Sequence, residues 1–262
     1  MIILQTDQLS IAFGGVRAID GVNLAIESGQ VYSIIGPNGS GKTTLFNLVS
    51  GIYTPDDGSI RLAGEAVTGL APDQLARRGL SRTFQNLQIF SRMSVLENVM
   101  VGRHRHERTG IFADLFHWPS VARQNKATVK AARAALARVD LADSAGRPAG
   151  SLAYGALKRL EIARALASEP TLLLLDEPAA GCNPVETEEI DSVIRSIVKD
   201  GITVVLVEHD MRLVMNISSR IHVLASGRTL TEGTPEQVRS NVAVVQAYLG
   251  IHGSQESNRA FH

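Results

Sequence analysis

Gly36-Pro37-Asn38-Gly39-Ser40-Gly41-Lys42-Thr43-Thr44 decides how this chain is read, because it follows an apolar β-type run, Val31 to Ile35, and precedes a helical pattern, Leu45 to Val49. Glycines at 36, 39 and 41 let the backbone curl so that successive N–H groups point inward at an anion, and the positive end of the following helix adds to the attraction. The spacing is G-x-x-x-x-G-K-T, in which Lys42 reaches the β- and γ-phosphates and the Thr43 hydroxyl is placed for Mg²⁺. A Gly-rich turn with a chance lysine would not need a strand before it and a helix after it. The run Gly36 to Thr44 is therefore expected to hold a nucleotide.

Three further positions answer to that loop. Leu172-Leu173-Leu174-Leu175 is a buried-strand pattern delivering Asp176 at its carboxyl end, where open α/β sheets bind ligands, so the carboxylate is expected at the Mg²⁺–water shell. Glu177, one residue on, is placed to polarise an attacking water as a general base. His209 follows the apolar run Ile202 to Val207 and Glu208, an end from which an imidazole can sense the γ-phosphate. By itself it reads equally as a structural histidine. Gln85 follows β-type Leu80 to Phe84, and its amide oxygen suits Mg²⁺ or water, although an isolated Gln is commonly a surface residue.

Composition narrows the class. The 262 residues carry 26 Lys plus Arg and 26 Asp plus Glu, so no net field recruits nucleic acid or an anionic membrane. Cys182 is the only cysteine, which excludes an internal disulfide and a multi-cysteine metal cluster and fits a reducing compartment. Met1 to Leu9 lacks a basic stretch followed by a long apolar one, and Leu172 to Leu175 is far too short for a membrane span. A guanine-nucleotide switch would need Asn-Lys-x-Asp, and the nearest string, Asn125-Lys126-Ala127-Thr128, fails at its fourth residue.

The order along the chain is mixed. Strand patterns at Ala18 to Ile26 and Ser59 to Leu62, broken by Ser28-Gly29 and Asp56-Asp57-Gly58, predict an antiparallel start. From about Ser91 to Gly150 the texture is helical, as at Ala127 to Val139, with a looser segment, Thr109 to Ser120, containing Phe112, Phe116 and Trp118. Thr171 to Leu175 and Ile202 to Val207 are nearly all apolar, as strands covered on both faces are. Between them Ile190, Val193, Ile194 and Ile197 make one stripe on a helix that Pro184 can open. The polar stretch after Gly250 has no periodicity.

The succession of phosphate loop, Gln85, Leu152-Ala153-Tyr154-Gly155, Asp176-Glu177 and His209 resembles an ABC transporter ATP-binding subunit, from about Ile3 to Gly250. Ser81-Arg82-Thr83-Phe84-Gln85-Asn86, Arg159 to Ala165, Ala179-Ala180-Gly181, Glu208-His209-Asp210, Gly233 to Glu236 and Ala247 to Gly250 are similar to the branched-chain amino-acid importer branch. Related cassettes serve amide, urea and aromatic-acid importers. The resemblance implies an α/β fold: a P-loop NTPase (RecA-like) core with an N-terminal antiparallel β subdomain and an inserted α-helical subdomain. It implies one ATPase domain over 1–250, with core and β subdomain in 1–90 and 165–250, helical subdomain in 91–164 and a polar tail at 251–262.

It also implies ATP and Mg²⁺, the metal near Thr43, Gln85 and Asp176, and a head-to-tail dimer with a second ATPase subunit. In such a dimer Leu152, Ala153, Tyr154 and Gly155 face the partner's nucleotide and Asn183 lies at the dimer contact. Two permease subunits, indirectly a periplasmic substrate-binding protein, and a peripheral place on the cytoplasmic face of the inner membrane follow from the same resemblance, with no nucleic-acid partner. Phe13 matches the position that stacks on adenine, its alternative being packing in a strand pair. Leu87, Ile89, Phe90 and Met93 match the wall of a groove for a permease helix, or else core. The chain departs from the family where the usual Leu-Ser-Gly-Gly-Gln reads Leu152-Ala153-Tyr154-Gly155-Ala156, which removes a serine hydroxyl, and where Cys182-Asn183 replaces Leu-Asp.

Overall fold

The structure, a computed structural model, describes residues 1–103 and 119–249. Phe112, Phe116, Trp118 and the tail at 251–262 lie outside the described residues. Strand β1 (Ile2–Phe13) pairs antiparallel with β2 (Val16–Glu27) on one edge and with β4 (Asp57–Leu62) on the other, and β5 (Glu65–Ala66) completes a four-stranded antiparallel sheet. Strand β3 (Val31–Ile35) leaves that sheet for a second one.

The second sheet has six strands in the order β10-β9-β3-β8-β7-β6, with β6 (Leu80–Arg82), β7 (Leu172–Asp176), β8 (Thr203–Val207), β9 (Arg220–Ala225) and β10 (Arg228–Gly233). All neighbours are parallel except β9 and β10, which form a hairpin. Strand β8 therefore separates β3 from β7. Register sets Ile34 opposite Val207 and Asp176 opposite the same Val207, so the carboxyl ends of three strands finish level.

Every residue of β3, β7 and β8 is buried, and alternation sorts them between two cores. Leu173, Leu175, Val204 and Leu206 face the helical side, against α5 (Tyr154–Leu166) and α6 (Pro184–Lys199). Leu172, Leu174, Val205 and Val207 face α1 (Lys42–Val49) and the antiparallel sheet. The stripe Ile190, Val193, Ile194 and Ile197 is buried on α6 as its spacing predicts, and Pro184 occupies the first turn behind the Asn183 cap.

The remaining helices are α2 (Pro72–Arg77), α3 (Val95–Val101), α4 (Pro119–Arg138), α7 (Met211–Ile217), α8 (Pro235–Arg239) and α9 (Val242–Leu249). Some boundaries differ from the sequence reading. The strand expected over Leu80 to Phe84 stops at Arg82, where the loop bearing Gln85 peels away from β7. Pro119 and Ser120 of the looser segment open α4. Among the described residues no helix is long and apolar enough to cross a membrane.

Candidate functional site

The loop Gly36 to Gly41 joins the end of β3 to the start of α1, and two glycines are obligatory by space alone. A Cβ at Gly36, whose φ is +155°, would sit 2.2 Å from the Leu224 carbonyl oxygen, and one at Gly41, φ +106°, would sit 2.7 Å from the Ala18 carbonyl oxygen. The loop is thus pressed between β9 and β2, and within it the Ser40 N–H donates to Pro37 O at 3.1 Å. Asn38 and Gly39 are exposed and Pro37 is half-buried. Ser40 is buried, and its Oγ has no hydrogen-bond partner.

Lys42 Nζ donates to the carbonyl oxygens of Gly36 at 2.7 Å and Pro37 at 3.1 Å, so the ammonium is folded back over its own loop. Burial lowers its pKa, against the opposing pull of Glu177 and Asp176. Thr43 is exposed and Thr44 half-buried in the first turn of α1. An orphaned hydroxyl, a lysine on backbone carbonyls, an exposed threonine and a nearby carboxylate pair fit a phosphate-bearing ligand with a hard divalent cation.

Asp176 ends β7 with its side chain 3 % exposed. Burial raises its pKa, and the Arg82 guanidinium, 2.8 Å away at Oδ2, opposes that rise. Glu177 follows in the left-handed region at φ +49°, a costly conformation for a residue with a Cβ. Its backbone is held at both ends: the N–H donates to Val207 O at 2.9 Å, and the carbonyl accepts from Lys158 Nζ at 3.3 Å. Its carboxylate accepts from Gln85 Nε2 at 3.1 Å and lies 4.0 Å from His209 Nδ1. Lys42, Gln85, Asp176, Glu177 and His209 thus converge on one end of the parallel sheet.

His209 is 65 % exposed and stands on a buried strut that the sequence reading quoted without giving it a role. Glu208, 1 % exposed, accepts the backbone N–H of Ala179 at 2.8 Å and of His209 at 3.0 Å. Burial raises the Glu208 pKa and these N–H donors oppose it. The strut ties the start of the His209 loop to the turn after Glu177. Lys158 and Arg82 were likewise missed as contributors; both are cations in a buried setting, a signal that emerges only once their burial is known.

Phe13 is half-exposed at the β1–β2 hairpin and meets Tyr53 edge to face, 5.3 Å between ring centroids. Tyr53 was not singled out in the sequence, so the aromatic feature here is a pair. The segment Leu152 to Gly155 meets the start of α6 and the turn after Glu177: Gly155 N donates to Glu186 Oε1 at 3.0 Å, and a Cβ at Gly181 would lie 3.1 Å from the Tyr154 ring. Ala153 caps α5 without a side-chain bond. The Asn183 oxygen accepts from Glu186 N at 3.0 Å as the cap of α6.

Below this edge lies a groove of about 430 Å³ whose walls include Phe84, Leu87, Ile89, Phe90 and Val101. Phe84 and Phe90 are both about half-exposed. Met93 is half-buried and is not among the groove residues; its backbone is tied to Phe90 and Ala149.

Cys182 is half-buried against the helical-side core, and burial followed by Glu186 raises its thiol pKa. A maleimide should therefore modify the isolated chain slowly at neutral pH, with a rate rising about tenfold per pH unit while the thiol is mostly protonated. Fast, pH-independent labelling would show an open, low-pKa thiol instead.

The model of the family described as ABC transporter matches residues 19–180, and that of the branched-chain amino acid ATP-binding cassette transporter matches residues 228–253. The chain is 48 % identical over 249 residues to the high-affinity branched-chain amino acid transport ATP-binding protein BraF of Pseudomonas aeruginosa, covering 95 % of this chain and 98 % of the relative. Identity to LivG of Escherichia coli K12, a protein of the same description, is 45 % with the same coverage. A solved ATP-binding cassette of an ABC transporter in its ADP conformation superposes with a TM-score of 0.83 at 32 % identity, over 95 % of this chain and 99 % of that one.

Proposed function

This chain belongs to the ABC transporter family, and from that premise we propose that it is the ATP-hydrolysing subunit of an importer for branched-chain, hydrophobic amino acids. The observation carrying the ATPase is the convergence of Lys42, Asp176, Glu177, Gln85 and His209 where β3, β8 and β7 end level. The amino-acid class is supported by the description of relatives that match along nearly their whole length and by the match at residues 228–253.

In this reading the loop N–H groups from Gly36 to Thr44 and Lys42 Nζ hold the phosphates, and Phe13 with Tyr53 offers an aromatic wall for adenine. Thr43, Asp176 and, through its amide oxygen, Gln85 would hold Mg²⁺, which would supply positive charge against the phosphates. Glu177 takes the proton of the attacking water. Gln85 and His209 flank that carboxylate and orient its surroundings.

Tyr154, Ala153 and the start of α5 then present the signature face to a partner's nucleotide. The Ala153 methyl gives that face one donor fewer than a serine would. The groove at Phe84 and Phe90 receives a permease helix, which places the subunit peripherally on the cytoplasmic side of the membrane.

Labelled leucine uptake tests the reading. In cells expressing this chain together with branched-chain amino-acid permease subunits, Glu177→Gln should abolish uptake of leucine, isoleucine and valine. Leucine uptake unchanged by that substitution, with urea or amide uptake lost instead, would reassign the substrate.

A further inference from the structure

Arg82 lies outside every role assigned above, yet it is the most heavily engaged cation near the site. Its side chain is 8 % exposed at the end of β6. One terminal nitrogen, Nη2, donates to Asp176 Oδ2 at 2.8 Å. The other, Nη1, donates to Asn47 Oδ1 at 2.7 Å and Ser50 Oγ at 2.8 Å, at the far end of the helix that begins with Lys42 and Thr43. The guanidinium carbon is 5.5 Å from the centroid of Phe46 and 5.8 Å from that of Phe84, within cation–π range of both.

The planar fork thus bridges three elements: α1, which starts at the phosphate loop; β7, which carries Asp176; and the strand leading to Gln85. Only a rigid guanidinium with donors on separate nitrogens can hold a carboxylate on one side and two neutral oxygens on the other. Buried Nε is left without a partner, a cost that only the strength of the remaining contacts makes tolerable. Because Arg82 occupies Oδ2, and Oδ1 takes no hydrogen bond from any described residue, the carboxylate is oriented with Oδ1 as its remaining acceptor.

We propose that Arg82 is a positioning residue for the metal: it fixes Asp176 Oδ1 relative to α1, so that the carboxylate and Thr43 act on one cation. This rests on the reading of Asp176 as a metal ligand. Partners that orient a metal ligand, when removed, characteristically weaken metal affinity by about 10- to 100-fold.

The test is binding, not turnover. A fluorescent ATP analogue is titrated against the purified full-length chain in EDTA and then over a range of Mg²⁺, with Mn²⁺ occupancy followed by electron paramagnetic resonance. D176N, R82M, R82K and the double variant N47A/S50A are compared with the unsubstituted protein. D176N and R82M should keep metal-free binding and raise the half-saturating Mg²⁺ by about 10- to 100-fold. R82K, which keeps the charge but reaches fewer acceptors, should fall between, and so should N47A/S50A, which leaves the Arg82–Asp176 pair and cuts its anchor.

If D176N loses the Mg²⁺ effect and R82M does not, the Arg82 assignment is overturned while the Asp176 reading stands. If D176N itself retains normal Mg²⁺ dependence, the Asp176 reading fails instead. Equal losses with and without metal in R82M would assign Arg82 a purely structural role. Should R82M not fold, as circular dichroism would reveal, R82K and N47A/S50A decide between the same outcomes.

Discussion

Glu177→Gln is expected to bind Mg-ATP with near-normal affinity and to hydrolyse it about 10²- to 10⁴-fold more slowly, the range a positioned general base contributes. The backbone of residue 177 is pinned by Val207 O and Lys158 Nζ in a left-handed conformation that the surroundings impose, so an isosteric amide should occupy the same place. What changes is the loss of a proton acceptor beside Gln85 and His209. Nucleotide binding followed by fluorescence, with single-turnover release of labelled phosphate, separates the two effects. Turnover close to that of the unsubstituted protein would remove Glu177 from the role of base. A parallel loss of binding would mean that the substitution disturbed the loop.

How much of this arrangement was legible in the sequence depends on the distance over which each feature is determined. The phosphate loop was legible because its conformation is set locally: glycines that meet the Leu224 and Ala18 carbonyls must be glycines, and lysine and threonine follow at fixed offsets. The four-leucine run before Asp176 and the Ile190 to Ile197 stripe were legible for the same reason, since burial on one or both faces leaves a period in the chain. Strand β1 was harder. A bulge at Gln8, with φ +47° and a register shift between Thr6 and Leu9, interrupts the alternation that would have marked twelve residues as one strand.

The supporting shell was not legible, because it is made of pairings that no local pattern encodes. Arg82 and Asp176 are 94 positions apart, and Ala179 N and Glu208 are 29 apart. Arg82 and Glu208 each read in the sequence as one more surface charge. Only the strand order, with β8 inserted between β3 and β7, brings the Glu208 strut under the turn that follows Asp176. Asn183 also serves a local demand that the dimer reading leaves unmentioned: its side-chain oxygen accepts one of the unsatisfied N–H groups at the start of α6.

Lys42→Ala should separate binding from chemistry in the opposite sense, abolishing productive nucleotide binding. In the structure the ammonium rests on the Gly36 and Pro37 carbonyls, a neutral pair that a phosphate can displace because burial makes the uncompensated charge costly and an anion relieves that cost. A hydrogen bond to a charged group is worth about 1.5–3 kcal/mol, and Lys42 is placed to make two, so the ATP dissociation constant should rise by about 10²-fold or more. The fold itself should survive. The two carbonyls lose a donor at a loop whose open side admits water, and the packing of Leu45 and Phe46 on the next turn is untouched. Lys42→Arg should not rescue affinity, because a planar fork cannot occupy a position shaped for a point charge between two carbonyls. Calorimetric titration with ATP, alongside thermal unfolding of each variant, checks both halves. Near-normal affinity in Lys42→Ala would take the lysine out of the phosphate cradle, and a large fall in melting temperature would show that its bonds to Gly36 and Pro37 hold the loop rather than wait for a ligand.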